Sequence, residues 1–459
     1  MVIPHQSKEV AGIHRTGGGL MAMTLMEHQK KVLKDTKDRN LVAYYIDMGG
    51  GKTFIGSEKA QSFDEEVILI VCQKSKVRDW VEHFFTYYID KTKCDESGAW
   101  CYDLTRDDKD LGMFFHSRYK KRIGVINYDL IFRRPALKKL ENFTLMLDES
   151  SLIQNEKTER WKFISKLHPK NVILLSGTPT SGKYENLWTQ IHLLGWNISE
   201  DLYQRQYINW TLTEDDGSGI RHKIVNKDDP YKNIDRLKRK LREHGAVFMK
   251  TEEFGFDLPE QTFTNIKVDA SKEYKKFRKD KVITVENYEG DEVELVGDTS
   301  LTDLLYQRQL CGQYSSEKLQ AVKDLIESTN DRLVVFYNFN DELYALKKIA
   351  ADLERPISEV NGHDKDLEAY EEQSNSITLI QYQAGAMGLN LQKANKIIYF
   401  TLPLSSELFE QSKKRIHRIG QKEHCFYYQL IVRGSVEEQI QKTLKMRKDF
   451  TDELFKKNT

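Results

Sequence analysis

Residues 41–53 read LVAYYIDMGGGKT, and residues 54–63 follow as FIGSEKAQSF. The run LVAYYI is short and apolar on both faces, which is typical of a buried parallel strand. The glycines after it let backbone N–H groups close around phosphates, and the helical pattern that follows adds the positive end of a helix dipole. The strict GxxxxGK[ST] pattern fails at Ile46, where its first glycine would stand. Strand, glycine turn and helix nevertheless predict a phosphate loop, in which Lys52 reaches the β- and γ-phosphates and Thr53 binds Mg²⁺.

Short apolar runs of the same kind recur along the chain. They stand at 67–72, 123–126, 143–147 and 172–175, and again at 332–337, 377–382, 396–400 and 426–431. Helical patterns separate them, and polar, helical stretches lie between the two groups. This rhythm is typical of parallel strands joined by crossover helices. We therefore expect an α/β protein with two lobes, each built on a parallel sheet, and helical insertions between them.

The composition excludes several classes of protein. The 459 residues are 39% hydrophobic and 31% charged, so the chain can bury a core and is not expected to be disordered. Lys+Arg and Asp+Glu are both 70, which argues against a polycation or an acidic tail but leaves a local nucleic-acid groove open. Five cysteines without a CxxC pair argue against a disulfide framework and a zinc site. No apolar run is long enough to cross a bilayer, so we expect a cytoplasmic protein without a membrane partner.

Two further strands end in polar residues that suit nucleotide chemistry. The run 143–147 is followed by Asp148 and Glu149. The aspartate is expected to hold Mg²⁺ and the glutamate to deprotonate the attacking water, although an acidic helix N-cap is the simpler alternative. The run 172–175 leads into Ser176-Gly177-Thr178, which is expected to sense the nucleotide, unless it is an ordinary strand-ending turn.

Charge is unevenly distributed along the chain. Basic residues cluster at 118–122, 232–242 and 271–281, whereas residues 282–307 contain six acidic residues before Asp303 and no Lys or Arg. Alternation around Glu289-Gly290-Asp291 predicts a β-hairpin within this acidic stretch. Each charge run is interpreted either as a binding surface, for DNA in the basic runs and for a partner protein in the acidic one, or as a solvated face.

The three motifs, in this order, resemble those of the superfamily-2 helicase-like ATPases. Five further stretches are similar to the Swi/Snf-type branch, the double-strand DNA translocases. They are LMEHQ (25–29), VILIVCQKSKVRDWVEHF (67–84), SGTPTSGKYENLW (176–188), QAGAMGLNL (383–391) and QSKKRIHRIGQ (411–421). This resemblance implies two RecA-like lobes. It assigns a flexible leader to 1–20, an ATP-binding lobe to 21–200, a helical insertion to 201–250, a linker to 251–264, a helical insertion with an acidic hairpin to 265–325, and a second lobe with a C-terminal brace helix to 326–459.

The resemblance also implies ATP and Mg²⁺ as cofactors and assigns roles to individual residues. Catalysis falls to Lys52, Asp148, Glu149, Arg415 and Arg418, with Arg418 as the arginine finger. ATP binding falls to Gln29, Met48, Gly49, Gly50, Gly51, Lys52, Thr53, Gly388 and Gln411, and Mg²⁺ binding to Thr53 and Asp148. DNA contacts fall to Lys74, Ser75, Asn127, Tyr128, Asn338, Phe339 and Gln383, and coupling to Ser151, Ser176, Gly177 and Thr178. Motif II reads DESS rather than DEAH, so Ser151 replaces the histidine that usually couples hydrolysis to lobe movement.

These features predict an ATP-dependent motor that moves on or remodels duplex or branched DNA without reading its sequence. Its expected setting is replication, recombination or repair in a bacterium or phage, with possible replication or recombination proteins as partners. The alternatives are an RNA-directed or RNA-polymerase-associated ATPase, and a clamp or scaffold gated by ATP.

Overall fold

The computed structural model describes residues 12–14, 22–90, 98–214, 221–255, 257–385 and 389–456. The chain divides into two compact units. The first comprises residues 1–256 together with 449–459, and the second comprises residues 257–448.

The first unit holds a seven-stranded sheet within its described residues. The strands of this unit, of which β1–β2 and β9–β10 pair outside that sheet, are β1 (Gly12–His14), β2 (Ala22–Thr24), β3 (Leu41–Ile46), β4 (Val67–Cys72), β5 (Ala99–Asp103), β6 (Lys121–Asn127), β7 (Phe143–Asp148), β8 (Asn171–Ser176), β9 (Trp210–Glu214), β10 (Arg221–Val225) and β11 (Ala246–Met249). Its helices are α1 (Glu27–Asp35), α2 (Lys52–Gln61), α3 (Val77–Tyr87), α4 (Asp108–Phe115), α5 (Tyr128–Ile131), α6 (Glu159–Ile164), α7 (Trp188–Leu193), α8 (Glu200–Tyr207) and α9 (Ile234–Glu243).

The strand order in this sheet is β11-β3-β8-β7-β4-β6-β5, and every neighbouring pair is parallel. The expected strands of the first lobe are therefore confirmed. Strand β3 explains their continuous apolar character. Val42, Tyr44 and Ile46 pack into the core on one face of the sheet, and Ala43 and Tyr45 into the core on the other. Because β3, β8 and β7 are adjacent and parallel, their carboxyl ends meet at one edge of the sheet.

The second unit holds a second seven-stranded sheet within its described residues. The strands of this unit are β12 (Gln261–Val268), β13 (Val282–Glu286), β14 (Glu292–Val296), β15 (Leu333–Tyr337), β16 (Ile357–Val360), β17 (Lys365–Asp366), β18 (Ile377–Gln381), β19 (Lys396–Tyr399) and β20 (Cys425–Val432). Its helices are α10 (Lys272–Asp280), α11 (Ser300–Cys311), α12 (Ser316–Glu327), α13 (Asn340–Asp352), α14 (Glu368–Glu372), α15 (Tyr382–Gly385), α16 (Ser406–Lys413) and α17 (Val436–Phe455), the last of which ends in the first unit.

The order of the second sheet is β12-β20-β19-β15-β18-β16-β17, and its pairs are parallel except for β16–β17. The two parallel sheets confirm the predicted α/β architecture with two lobes. Strands β13 and β14 form the predicted antiparallel hairpin outside this sheet, with Val282 opposite Val296 and Glu286 opposite Glu292.

The structure differs from the expected domain boundaries in four places. Residues 449–456 pack with the first unit rather than the second, because Leu454 and Phe455 are buried in the core of the first unit. The stretch expected as a purely helical insertion (201–250) contains the β9–β10 hairpin and β11, which joins the first sheet. The expected linker (251–264) overlaps β12. Strand β1, within the expected flexible leader (1–20), pairs with β2, which lies just beyond that leader.

No helix in the part of the chain that the structure describes combines the length and the apolar composition needed to cross a bilayer.

Candidate nucleotide-binding and catalytic site

The glycine loop between β3 and α2 has the backbone conformation that a phosphate loop requires. Gly49 and Gly51 have positive φ values of 87° and 73°, and Gly51 is the N-cap of α2. Only glycine adopts such values readily. A Cβ on Gly50 would lie 2.6 Å from Ile46 Cγ2 and 2.6 Å from Phe254 Cζ. The loop is therefore closely packed from beneath, with its backbone N–H groups at the start of a helix.

Lys52 lies at the carboxyl end of the sheet, between two of the predicted motifs. Its Nζ donates to the Ile46 carbonyl over 2.8 Å. A Cβ on Gly177 would lie 3.4 Å from the same Nζ, so the turn after β8 passes close to this amine. The lysine of the first motif and the glycine of the third are thus neighbours because β3 and β8 are paired.

The helix α1 contacts the underside of the glycine loop. Gln29 is buried, donates through Nε2 to the Gly50 carbonyl over 3.4 Å, and accepts from Met26 N–H over 2.9 Å. His28 Nε2 hydrogen-bonds the same carbonyl over 3.0 Å, and the His28 ring stacks on Phe254 at 4.8 Å. Burial lowers the pKa of His28, which favours the neutral ring. The structure thus places Gln29 at the glycine loop and adds His28, which the sequence analysis did not select.

Asp148 ends β7 and is held from two sides. Trp80 Nε1 donates to Asp148 Oδ2 over 2.8 Å, and the Tyr128 hydroxyl donates to the Asp148 carbonyl over 2.9 Å. Burial raises the pKa of Asp148, whereas the Trp80 hydrogen bond and the positive charges of Lys76 and Lys52 oppose that rise. The lysine of the glycine loop therefore acts electrostatically on the carboxylate of the second motif.

Glu149 follows in a left-handed backbone conformation, with φ at 51°. The Ser176 hydroxyl donates to Glu149 Oε2 over 3.3 Å and accepts from Thr178 N–H over 3.1 Å. The acidic pair and the Ser-Gly-Thr turn, predicted from separate stretches of sequence, therefore lie together because β7 and β8 are adjacent. This contact joins the residue expected to act on water to the segment expected to sense the nucleotide.

The oxygen atoms of this cluster fit a Mg²⁺ ion bound with a nucleotide. Asp148 offers a carboxylate at the end of β7, and Thr53 offers a hydroxyl in the first turn of α2. Mg²⁺ prefers oxygen ligands and usually takes one or two carboxylates together with phosphates and water. The donor set is therefore suitable for this metal.

Ser151 lies in the short 3-10 helix Ser150–Ile153 and is buried, as is Ser150 beside it. Ser150 donates to Gln190 Oε1 over 2.7 Å, and Gln190 Nε2 donates to the Pro179 carbonyl over 2.6 Å. The sequence analysis selected Ser151 and passed over Gln190. The signal available in the sequence was weak, because Gln190 stands in the stretch LWTQIHLL (187–194) beside two other polar residues.

The DNA-contact residues expected in the first unit fall into two groups. Lys74 and Ser75 are exposed just beyond the carboxyl end of β4. Asn127 and Tyr128 are buried at the end of β6, and Tyr128 is only 2% exposed. The Tyr128 hydroxyl is engaged by the Asp148 carbonyl. The Tyr128 side chain supports the backbone of the Asp148-Glu149 pair, and a DNA contact by Asn127 and Tyr128 stays a prediction.

In the second unit, Asn338 and Phe339 follow β15 and Gln383 follows β18, so all three lie at the carboxyl edge of that sheet. Asn338 Nδ2 donates to Thr401 Oγ1 over 2.8 Å, and the Arg308 guanidinium lies 5.0 Å from the centre of the Phe339 ring. Gln383 is exposed. The structure thus brings the expected contact residues of this unit to one edge.

The arginine-rich motif lies on and just after α16. Gln411 is buried and donates to Glu407 Oε1 over 3.2 Å. Arg415 is buried, and Arg418 is partly exposed. Gln421 holds the turn that follows through a hydrogen bond from its Nε2 to the Ala394 carbonyl over 2.9 Å. Gly388, expected to bind ATP, lies outside the described residues.

A family model described as SNF2-related domain matches residues 16–315, more than half of the chain. The chain belongs to the SNF2-related family. A second model, the helicase conserved C-terminal domain, matches residues 317–420 of this SNF2-related chain. These matches confirm the resemblance to Swi/Snf-type helicase-like ATPases.

Curated relatives are similar to most of this SNF2-related chain. The CHD3-type chromatin-remodeling factor CHR7 of Arabidopsis thaliana is 22% identical over 87% of the chain and 34% of its own length. The ISWI chromatin-remodeling complex ATPase ISW2 of Saccharomyces cerevisiae is 23% identical over 86% of the chain and 37% of its own length. The chain thus spans about a third of the length of these relatives.

A solved structure, the Sulfolobus solfataricus SWI2/SNF2 ATPase core in complex with dsDNA, is similar at 20% identity and a TM-score of 0.43. The match covers 98% of this chain and 95% of that one.

Proposed function

We propose that this SNF2-related chain is a DNA-dependent ATPase that couples hydrolysis to movement along duplex or branched DNA. One observation carries the proposal. Lys52, Asp148, Glu149 and the Ser176–Thr178 turn come together at the carboxyl ends of β3, β7 and β8. A lysine on the phosphates, a carboxylate on the metal and a second carboxylate on water are the groups that phosphoryl transfer needs.

In the proposed reaction the glycine loop and Lys52 bind the phosphates, while Thr53 and Asp148 hold Mg²⁺. Held by these two residues, Mg²⁺ would supply positive charge to the phosphate oxygens. Glu149 orients the attacking water and takes its proton, and its contact with Ser176 reports the state of the site to the turn after β8. Arg418, with Arg415 as a second contact, is proposed to stabilise the charge of the transition state.

DNA is proposed to contact Lys74 and Ser75 in the first unit and Asn338, Phe339 and Gln383 in the second, mainly through phosphates and sugars. The two relatives, by their printed names, are chromatin-remodeling proteins. For this chain we propose replication, recombination or repair in a bacterium or phage. The composition is rich in Lys, Tyr and Asn with only 8 prolines, which favours an AT-rich genome.

ATP turnover without nucleic acid, and with single-stranded DNA, duplex DNA, branched DNA or RNA, tests the proposal directly. We expect duplex or branched DNA to stimulate hydrolysis and Lys52→Ala or Glu149→Gln to abolish it. Lys166→Ala, which removes an exposed lysine of the first unit, serves as the matched control.

Stimulation by RNA alone would favour an RNA-directed ATPase. Wild-type function of Lys52→Ala in cells would favour a clamp. Displacement of a triplex-forming strand then separates movement along DNA from hydrolysis alone.

A further inference from the structure

The backbone at Glu149 is strained and must be held by its surroundings. Its φ of 51° places a residue with a bulky side chain in the left-handed region, which disfavours any side chain. Such conformations persist where neighbouring groups fix them, and they concentrate at functional sites. Tyr128 fixes the backbone before this position through the Asp148 carbonyl. The backbone after Glu149 is fixed by a second contact.

Ser150 and Gln190 form that second anchor. Both side chains are fully buried, and the Ser150 hydroxyl donates to Gln190 Oε1 over 2.7 Å. Gln190 lies on α7, and its Nε2 donates to the Pro179 carbonyl over 2.6 Å. Gln190 therefore ties the residue after Glu149 to the segment after Thr178. Its Oε1 also accepts from the Tyr45 hydroxyl over 3.1 Å.

We propose that Ser150 and Gln190 are positioning residues that hold the Glu149 carboxylate in its reactive geometry relative to the Ser176–Thr178 turn. The proposal rests on the ATPase activity proposed above. It places the link between motif II (148–151) and motif III, which begins with the Ser176–Thr178 turn, at Ser150. This residue stands beside Ser151, the position that the departure from DEAH first singled out. The amide of Gln190 suits this task because it accepts from one motif and donates to the other.

The chemistry of a buried pair allows positioning to be separated from stability. Removing Gln190 leaves the buried hydroxyls of Ser150 and Tyr45 without this acceptor, which is costly, whereas removing the Ser150 hydroxyl leaves Tyr45 as a donor to Gln190 Oε1. Gln190→Leu should therefore lower the thermal unfolding midpoint more than Ser150→Ala does. Adding Ser150→Ala to Gln190→Leu removes one of the two unpaired hydroxyls and should recover part of that loss.

Steady-state ATP turnover, binding of a non-hydrolysable ATP analogue and thermal unfolding are measured on the full chain of each variant. We expect kcat to fall about tenfold in Ser150→Ala, in Gln190→Leu and in the double variant, with KM for ATP and analogue binding unchanged. The loss of kcat should persist in the double variant even though part of its stability is recovered. Ser150→Ala removes a single hydroxyl and tests the link alone if Gln190→Leu does not fold.

Tyr45→Phe is the matched control, because it removes a hydrogen bond to the same Gln190 oxygen from a strand outside motif II. Its kcat should stay within twofold of the wild type. Recovery of kcat together with stability in the double variant would show a purely structural pair and overturn the proposal. A loss of kcat in Tyr45→Phe equal to that in Ser150→Ala would overturn it as well. Absence of nucleic-acid-stimulated turnover in the wild type would instead refute the proposed function.

Discussion

At the scale of single residues, the site depends on positions where one atom decides the packing. Gly50 shows this most directly, because a methyl group there would overlap Ile46 and Phe254, both part of the packed core beneath the loop. The sequence predicted a glycine turn from the need for backbone N–H groups. It did not predict that Gly50 is required by close packing, since Phe254 stands two hundred residues further along the chain.

Gly50→Ala is expected to lower the unfolding free energy by about 1–3 kcal/mol, because buried side chains must shift to accept the methyl group. It should also weaken nucleotide binding. Urea unfolding and binding of a fluorescent ATP analogue measure the two effects. Gly112→Ala in α4 is the control: a Cβ there meets open space, and alanine favours the helix by up to about 1 kcal/mol. Equal stability of the two variants would contradict this account of Gly50.

The buried carboxyl group of Glu342, in the second unit, should make the stability of the fold depend on pH. The carboxylate is 0% exposed and accepts from Asn338 N–H over 2.7 Å and from Thr401 Oγ1 over 2.9 Å. Burial raises its pKa to about 7, against the opposing effects of these bonds and of the nearby positive charge of Lys318. The Arg308 guanidinium also faces it. The folded chain therefore binds this proton more tightly than the unfolded chain does.

Because the pKa of Glu342 is higher in the folded chain, its contribution to stability is complete below about pH 4.5 and falls as the pH rises to about 7. The loss is at most roughly 3 kcal/mol. Glu342→Gln should flatten the stability profile across this window. Thermal unfolding of the wild type and the variant from pH 4.5 to 8 measures the difference. Glu327→Gln, at an exposed position of α12, should leave the profile unchanged. A wild-type-like slope in Glu342→Gln would contradict the assignment.

At the scale of elements, the end of α17 shows a packing role that its sequence did not reveal. Leu454 and Phe455 lie in the core of the first unit, and the Tyr184 hydroxyl donates to the Phe450 carbonyl over 2.7 Å. Glu453 pairs with the buried Lys238 at 2.8 Å. The sequence predicted a C-terminal brace helix but assigned it wholly to the second lobe. The helical pattern identifies an apolar face without identifying the surface that buries it.

Leu454→Ala should therefore destabilise the first unit, by about 2–5 kcal/mol, since the Leu454 side chain is 0% exposed and its loss leaves a cavity. Urea unfolding, combined with hydrogen exchange of the first sheet, measures the effect and locates it. Met446→Ala on the same helix, where the side chain is 38% exposed, is the control and should change stability little. Protection lost only in the second sheet would argue against this packing.

Strands β11 and β12 illustrate why elements were missed. The run AVFM of β11 has only four residues, and β12, with the sequence QTFTNIKV, is mostly exposed and polar. Neither carries the long apolar signal of a central strand. Each is a strand because it pairs with a neighbour at the edge of its sheet, β11 with β3 and β12 with β20. Edge pairing of this kind is decided by tertiary contacts.

At the scale of the whole molecule, a net charge of zero conceals separate charged surfaces. On and before α9, the side chains of Lys232, Arg236 and Arg239 are exposed. In the β13–β14 hairpin, Glu286 and Glu292 face each other across the strands and are exposed. Their negative charges repel DNA phosphates, so the hairpin is not a surface that DNA would approach. The basic surface is the better candidate for a phosphate track.

Arg236→Glu combined with Arg239→Glu should weaken duplex binding at low salt and reduce the slope of log K against log salt by about 2, roughly one for each lost phosphate contact. Fluorescence anisotropy titrations of a labelled duplex, each at one fixed salt concentration between 50 and 300 mM, measure that slope. Lys442→Glu with Lys445→Glu, on an exposed part of α17, makes the same change in net charge elsewhere. Equal effects of the two pairs would identify the α9 surface as a solvated face.

The amino-acid sequence by itself determined the two α/β lobes, the central strands, the phosphate loop and the acidic hairpin. These follow from local patterns: apolar runs, glycines before GKT, and alternation around a turn. The order of motifs likewise identified the SNF2-related family. Such signals lie within a few residues of one another, so no tertiary information is needed to read them.

Only the tertiary structure decided which residues support the site. Trp80, Tyr128, Gln190 and Phe254 reach motifs I, II and III from positions between ten and two hundred residues away. The order of β3, β8 and β7 in the sheet brings Glu149 to Ser176 and Gln190 to Ser150. Hydrogen bonds and close packing act over a few ångströms in space, whatever the separation along the chain. Local patterns therefore identify the reactive groups, and the fold selects the residues that hold them in place.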